Sequence, residues 1–198
     1  MTADADQAAP SLRLKIKRRP GGDAPPYWQT IEVPFDEEKS LLDALLTVDG
    51  LAVAAPCADQ KCGQCAMLLN NEPLLACRVK HGELDEPIEA RALTQVGGAR
   101  DLLLASEEIR RRSHGLPAAG CIDCGLCLEV CPSYDRDRVF AGPAALFRAE
   151  AAGHTILSPL APWECDNVGN CTAVCPERLP IADAIAALKK RATRPPTT

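Results

Sequence analysis

Cysteine spacing limits what this chain can become more than anything else in it. The eleven cysteines form three groups: Cys57, Cys62, Cys65 and Cys77, then Cys121, Cys124, Cys127 and Cys131, then Cys165, Cys171 and Cys175. In a secreted protein so many thiols would pair as disulfides. Here the count is odd, and the first residues, MTADADQAAP, lack the apolar core of an export signal and the arginines of a transit peptide. The whole chain is therefore expected to be kept inside the cell, where thiols serve as ligands, redox groups or buried apolar side chains.

Cys121-x2-Cys124-x2-Cys127-x3-Cys131-Pro132 has the spacing of a bacterial ferredoxin run. Three thiolates this close can wrap one cubane, and the fourth ligates the other cluster of a two-cluster fold. The third group is a repeat of the second. Shifted by 44 residues, Cys121, Cys127 and Cys131 fall on Cys165, Cys171 and Cys175, Gly125 on Gly169, Val130 on Val174, and Pro132 on Pro176. One ligand position breaks the repeat, because Cys124 falls on Val168. With the fourth cysteines exchanged, Cys121, Cys124, Cys127 and Cys175 are expected to hold a [4Fe–4S] cluster. Cys131, Cys165 and Cys171 are left with three thiolates, which predicts a [3Fe–4S] cluster with no oxygen or nitrogen near the vacant corner. An open-corner [4Fe–4S] that binds substrate is the competing reading, and a valine would crowd that corner. Cys57-x4-Cys62-x2-Cys65…Cys77 is the plant-type [2Fe–2S] spacing, with Gly63 letting backbone N–H groups approach the sulfides. Zinc is the bland alternative, but zinc sites pair two C-x2-C units at a distance and leave the triple run before Pro132 unexplained.

Patterning gives the scaffold. Leu12, Leu14 and Ile16 alternate with Arg13, Lys15 and Lys17, and a second alternating run covers Trp28 to Val33 beyond the Pro20-Gly21-Gly22 turn, so a hairpin is expected. Leu41, Leu42, Leu45 and Leu46 recur at helical spacing after Ser40, a plausible cap. A cysteine loop follows, then a strand from Ala66 to Leu69, a turn at Asn70-Asn71, and a strand at Leu74-Leu75. Helices are expected over Asp101–Arg112, over Ala144–Ala152 and around Ile181, Ala184, Ile185 and Leu188. The predicted fold class is α+β: an N-terminal β-grasp [2Fe–2S] ferredoxin-like domain (residues 11–98) and a C-terminal all-α dicluster ferredoxin-like domain (99–192), with disordered tails at 1–10 and 193–198 and the boundary near Gly97-Gly98.

Composition removes other classes. Twenty-two basic against 27 acidic residues give a net charge of −5, and aromatics are 4%, which argues against a nucleic-acid surface. No stretch approaches the roughly 18 apolar residues that span a bilayer. No Gly-rich phosphate loop is present, so FAD or a nicotinamide is not expected on this chain in a Rossmann manner. His81, His114 and His154 are isolated and read as structural or surface residues, and Arg110-Arg111-Arg112 as a solvated helix end.

Across residues 11–191 the sequence resembles the iron–sulfur subunit of succinate dehydrogenase / fumarate reductase. The likeness rests on Leu42-Asp43-Ala44-Leu45, Cys62-Gly63-Gln64-Cys65-Ala66-Met67, Leu75-Ala76-Cys77, Arg100-Asp101-Leu102, Cys121-Ile122-Asp123-Cys124-Gly125-Leu126-Cys127, Gly142-Pro143-Ala144-Ala145, Trp163-Glu164-Cys165 and Val168-Gly169-x-Cys171-x3-Cys175-Pro176. It implies an enzyme subunit with no succinate site of its own. Electrons would pass between FAD on a flavoprotein partner and a membrane quinone through [2Fe–2S], [4Fe–4S] and [3Fe–4S] clusters. A membrane anchor subunit would hold the protein at the inner face of the cytoplasmic membrane, and the loop 57–65 would face the flavin.

The chain departs from the family pattern in places. Ala58-Asp59-Gln60 stands for the usual Arg-Glu-Gly, Tyr134-Asp135-Arg136 occupies the neighbourhood of a quinone-site tryptophan, and Asp166 stands for a histidine. The cysteine runs are closer to the fumarate reductase branch, in which a lysine on the last helix contacts menaquinone. Lys189 matches that position, and Trp163 is a second candidate for the quinone site. The chain is also shorter than typical members, which keeps a second function open: a soluble iron–sulfur carrier or adaptor serving a different flavin-dependent oxidoreductase.

Overall fold

The alternation that starts at Leu12 builds the first layer. In the computed structural model, which describes residues 10–21, 24–57, 59–96, 98, 100–154 and 160–191, β1 (Ser11–Arg18) buries Leu12, Leu14 and Ile16 on one face. It pairs antiparallel with β2 (Tyr27–Pro34), Leu14 opposite Ile31 and Ile16 opposite Gln29. β2 is one of the two edge strands, and Lys15 Nζ of β1 lies 4.8 Å from the centre of its Trp28 ring. The expected tails fall outside the described residues, apart from Pro10, as does Gly97 of the expected boundary.

Helix α1 (Leu41–Leu46) forms where the leucine spacing predicts it. Ser40 caps it in a reciprocal box: the Asp43 N–H donates to the Ser40 hydroxyl, and the Ser40 N–H donates to the Asp43 carboxylate at 2.8 Å. Leu41 and Leu45 are wholly buried against the sheet core. β3 (Ala66–Leu69) and β4 (Glu72–Leu75) follow the cysteine loop, joined by Asn70 and Asn71, both left-handed.

The sheet order is β2-β1-β5-β3-β4. Its centre, β5 (Ile88–Arg91), is a strand that sequence patterning leaves inside the connecting stretch. Four residues after Pro87 are too few for a period-two signal. Pairing fixes them instead, parallel to β1 and antiparallel to β3. The sheet with α1 across it is the β-grasp arrangement.

The helix expected from Asp101 begins only at Ser106: α2 is Ser106–Arg112. Asp101 is left-handed (φ 39°), its N–H donates to the Arg19 carbonyl, and the Leu102 N–H donates to the Ala52 carbonyl, so this backbone is already committed to the first half. The Asp101 carboxylate is 2% exposed and accepts from Arg18 (3.1 and 3.2 Å) and from the N–H groups of Arg19 and Ala52 (both 2.9 Å).

The second half is helical. α3 (Leu126–Glu129) and α5 (Asn170–Ala173) are single turns, and α4 (Pro143–Ala151) packs against α6 (Ile181–Arg191), whose Ile181, Ile185 and Leu188 are buried. The repeat read from the cysteines is a repeat of backbone. Gly125 (φ 75°) opens α3 and Gly169 (φ 83°) opens α5, while Asp123 (56°) and Asn167 (57°) are left-handed at equivalent places. Asp and Asn tolerate that region, so the match hides behind two different letters. The halves are joined by Glu129, whose carboxylate accepts from the N–H groups of Thr94 (2.9 Å) and Gln95 (2.8 Å). No helix among the described residues is long and apolar enough to cross a membrane.

Burial pushes the Asp101 carboxyl up, but the bonds from Arg18, Ala52 and Arg19 outweigh it and hold the group below the usual carboxylate range. The stability it contributes is present above the ordinary pKa near 4 and lost as pH falls through the lowered folded value. Asp101→Ala, which strands a half-buried Arg18, is expected to cost about 3–5 kcal/mol in urea unfolding near neutral pH and to flatten the acid limb of the stability curve.

Candidate metal centres

The first thiol set has Cys57, Cys62 and Cys65 between α1 and β3, in a loop turned by left-handed Gln60 and Gly63, and Cys77 just after β4. Its sulfurs come in two pairs, Cys57 with Cys62 at 2.9 Å and Cys65 with Cys77 at 3.2 Å. Both separations exceed a disulfide bond of about 2.05 Å, and all eleven thiols are free. Two close pairs are the donor set that two irons require. Burial pushes the Cys77 thiol up to about 12, with the hydrogen bond and charge of Cys65 adding to it.

The second and third groups exchange their last members in space. Cys121, Cys124, Cys127 and Cys175 line one cavity, walled by Ile122, Ala144, Phe147 and Ile181. Burial raises the Cys124 thiol to about 12 and the buried Cys127 thiol well above its ordinary value. A neighbouring cavity is lined by Cys131, Cys165 and Cys171 together with Val168. Burial also raises Cys131 and Cys171. Among the described residues no three His, Cys, Asp or Glu side chains meet where a single ion could hold them. The thiols ring spaces instead, which fits a polynuclear group.

The three-thiol cavity is apolar over most of its surface. Ser133, Asp166, Asn167 and Asn170 are among its lining residues. They already have partners: the Ser133 hydroxyl donates to Asp166 (2.8 Å), Asn167 accepts from Lys189 Nζ (3.3 Å), and the Asn170 amide donates to the Val130 carbonyl (3.3 Å). Val168 itself is 57% exposed at the cavity mouth.

Lys189 Nζ also donates to the Cys165 carbonyl, and Trp163 sits half-buried in the short turn Pro162–Glu164 just before Cys165. Both candidate quinone residues thus flank the three-thiol cavity. His81 is buried, with Nδ1 accepting the Asp36 N–H (3.2 Å) and Nε2 facing the Ser40 carbonyl (3.0 Å), a structural role. Arg110 and Arg111 pair with Glu107 and Glu108 of their own helix. Sequence patterning missed the buried ion pair of Arg148 with Asp123, beside the first cavity. A lone arginine in the apolar run of α4 was its only signal.

A fold of this kind, with thiols gathered this way, defines a two-domain iron–sulfur protein of the electron-transfer type. Residues 13–111 match the model of a 2Fe-2S iron-sulfur cluster binding domain and residues 117–179 that of a 4Fe-4S dicluster domain. The fumarate reductase iron-sulfur subunit of Escherichia coli O6:H1 is 30% identical, over 88% of this chain and 90% of that protein. The succinate dehydrogenase iron-sulfur subunit of Bacillus subtilis is 23% identical, over 91% of this chain and 92% of its own. A chain of the Mycobacterium smegmatis Sdh1 complex in the apo form shares the fold, with a TM-score of 0.77 and 22% identity, over 93% of this chain and 96% of that one. The chain belongs to the family of succinate dehydrogenase/fumarate reductase iron–sulfur subunits.

The exchange of thiols between groups makes a specific forecast. In the anaerobically purified protein, Cys175→Ser is expected to abolish the same EPR signal as Cys124→Ser, and Cys131→Ser the same signal as Cys171→Ser. Loss of signals by sequence group instead would contradict the exchange.

Proposed function

We propose that the chain is the electron-transfer subunit of a succinate dehydrogenase or fumarate reductase complex. In this reading Cys57, Cys62, Cys65 and Cys77 hold a [2Fe–2S] cluster. Cys121, Cys124, Cys127 and Cys175 hold a [4Fe–4S] cluster, and Cys131, Cys165 and Cys171 a [3Fe–4S] cluster. Residues 11–98 form the first domain and 99–192 the second, with Asp101 and Leu102 reaching back to the first. The observation that carries the reading is the pair of adjacent cavities, each lined by thiols from both cysteine repeats.

When bound, the clusters supply one-electron carriage between the FAD of a flavoprotein subunit and a membrane quinone. The protein's own part is position and dryness. Ile122, Ala144, Phe147 and Ile181 wall the four-thiol cavity with apolar groups, which excludes water and lowers the local dielectric. The Lys189 ammonium, fixed on the Cys165 carbonyl and Asn167, places a positive charge beside the three-thiol set. With Trp163 it forms the surface against which a quinone and a membrane anchor subunit would sit. The anchor would hold the chain at the inner face of the cytoplasmic membrane.

Val168 is the residue that limits the last set to three ligands. Val168→Cys is expected to raise the iron content per chain and to remove the EPR signal of an oxidised three-iron cluster. An unchanged signal and iron content would contradict that role. Affinity purification of the tagged chain from its own cells is expected to bring down a flavin-containing subunit and a membrane protein. A lone brown protein would favour the carrier reading.

A further inference from the structure

The first thiol loop does not merely lie near the four-thiol cavity; it is pinned to it at two places. Gly63, between Cys62 and Cys65, rests on the Cys121–Cys124 segment. A Cβ at Gly63 would stand 2.6 Å from the Ile122 carbonyl oxygen and 2.9 Å from the Cys124 Cβ, and its φ of 71° is left-handed. No side chain fits there, so the backbone of one thiol loop touches a thiol-bearing residue of the next.

Arg78 makes the second attachment. It follows Cys77 directly, and its guanidinium serves three acceptors. Nη1 donates to the Pro176 carbonyl (2.8 Å), immediately after Cys175, while Nη2 donates to the Gln60 carbonyl (2.9 Å), inside the first loop, and to the Glu177 carboxylate (2.6 Å). The Arg78–Glu177 pair is half-buried, with side chains 31% and 29% exposed. A planar fork can span three acceptors in fixed directions, which an ammonium cannot. The Gly63 and Arg78 contacts engage Cys124 and the carbonyl after Cys175, two members of the same cavity.

We propose that Arg78 is a positioning residue that clasps the first thiol loop onto the four-thiol cavity and thereby fixes the separation of the two clusters. This rests on the cluster assignment proposed above. Separation governs one-electron transfer and magnetic coupling far more steeply than it governs folding, so the clasp acts on coupling rather than on cluster retention.

The test is power saturation of the [2Fe–2S] EPR signal in the full-length, anaerobically purified chain, with the [4Fe–4S] cluster either oxidised or reduced. In the parent protein, reducing the second cluster is expected to speed relaxation of the first. In Arg78→Ala that enhancement is expected to fall several-fold with iron and sulfide content unchanged. Arg78→Lys, which keeps the charge and loses the fork, is expected to behave like alanine. An enhancement equal to the parent's in Arg78→Ala, or full rescue by lysine, would overturn the clasp. If Arg78→Ala fails to load, Glu177→Ala removes one arm while leaving both cysteine motifs intact. A reduced enhancement there supports the proposal, and an unchanged one overturns it. A parent chain that binds no clusters defeats the functional reading first; a loaded parent with an indifferent Arg78 defeats only this inference.

Discussion

A thiol sunk among apolar side chains resists ionisation, because burial penalises the charged form. That cost is written across this protein. Cys65, Cys124, Cys127, Cys131 and Cys171 belong to the same buried cluster as the leucines and isoleucines of the two halves, and desolvation heads the causes that raise Cys77, Cys124 and Cys127. Without a positive partner these groups are small core residues. With one, each site gains the ligand charge it needs, and binding energy becomes folding energy.

The exchange of the last thiols gives the second half its unity. Each cavity draws on both repeats, so neither repeat completes a site alone. α3 and α5, each a single turn opened by a left-handed glycine, are too short to persist by themselves. They are held by the packing of α4 on α6 and by the contacts between cysteine loops, such as Ser133 with Asp166. Attachment to the first half is made in the same manner. Gly125, which opens α3, meets Val96 and Ile109, and Glu129 at the end of that helix receives two backbone N–H groups of the Thr94–Gln95 segment. The positions of the thiol sets are therefore set by short, specific contacts between loops, with the sheet and the helix pair as the frame behind them.

Most of this organisation could be read from the letters, for identifiable reasons. Cysteine offsets are discrete, so the three gatherings of thiols and the break in the repeat at Val168 are visible in the sequence. The alternation in β1 and the leucine spacing of α1 encode one-sided burial, and Ser40 marked the helix start. β5 could not be read, because a four-residue central strand is defined by its two neighbours and not by its own pattern. The start of α2 was misplaced for a related reason: Leu102, Leu103 and Leu104 look helical, yet Asp101 is held by Arg18 of a distant strand. The contacts of Arg78 and Arg148 join segments far apart in sequence, and nothing in their surroundings marks them. Ser133 reaches the three-thiol cavity from a distant segment, which the run around Val168 does not reveal.

The central claim is that these thiols hold three separate iron–sulfur centres. Its most direct test is a potentiometric EPR titration of the chain purified without oxygen, alongside analysis for iron, zinc and acid-labile sulfide. The account predicts a brown protein rich in iron and sulfide with three independent redox transitions, one of them paramagnetic when oxidised. A colourless protein containing zinc and no labile sulfide would contradict it.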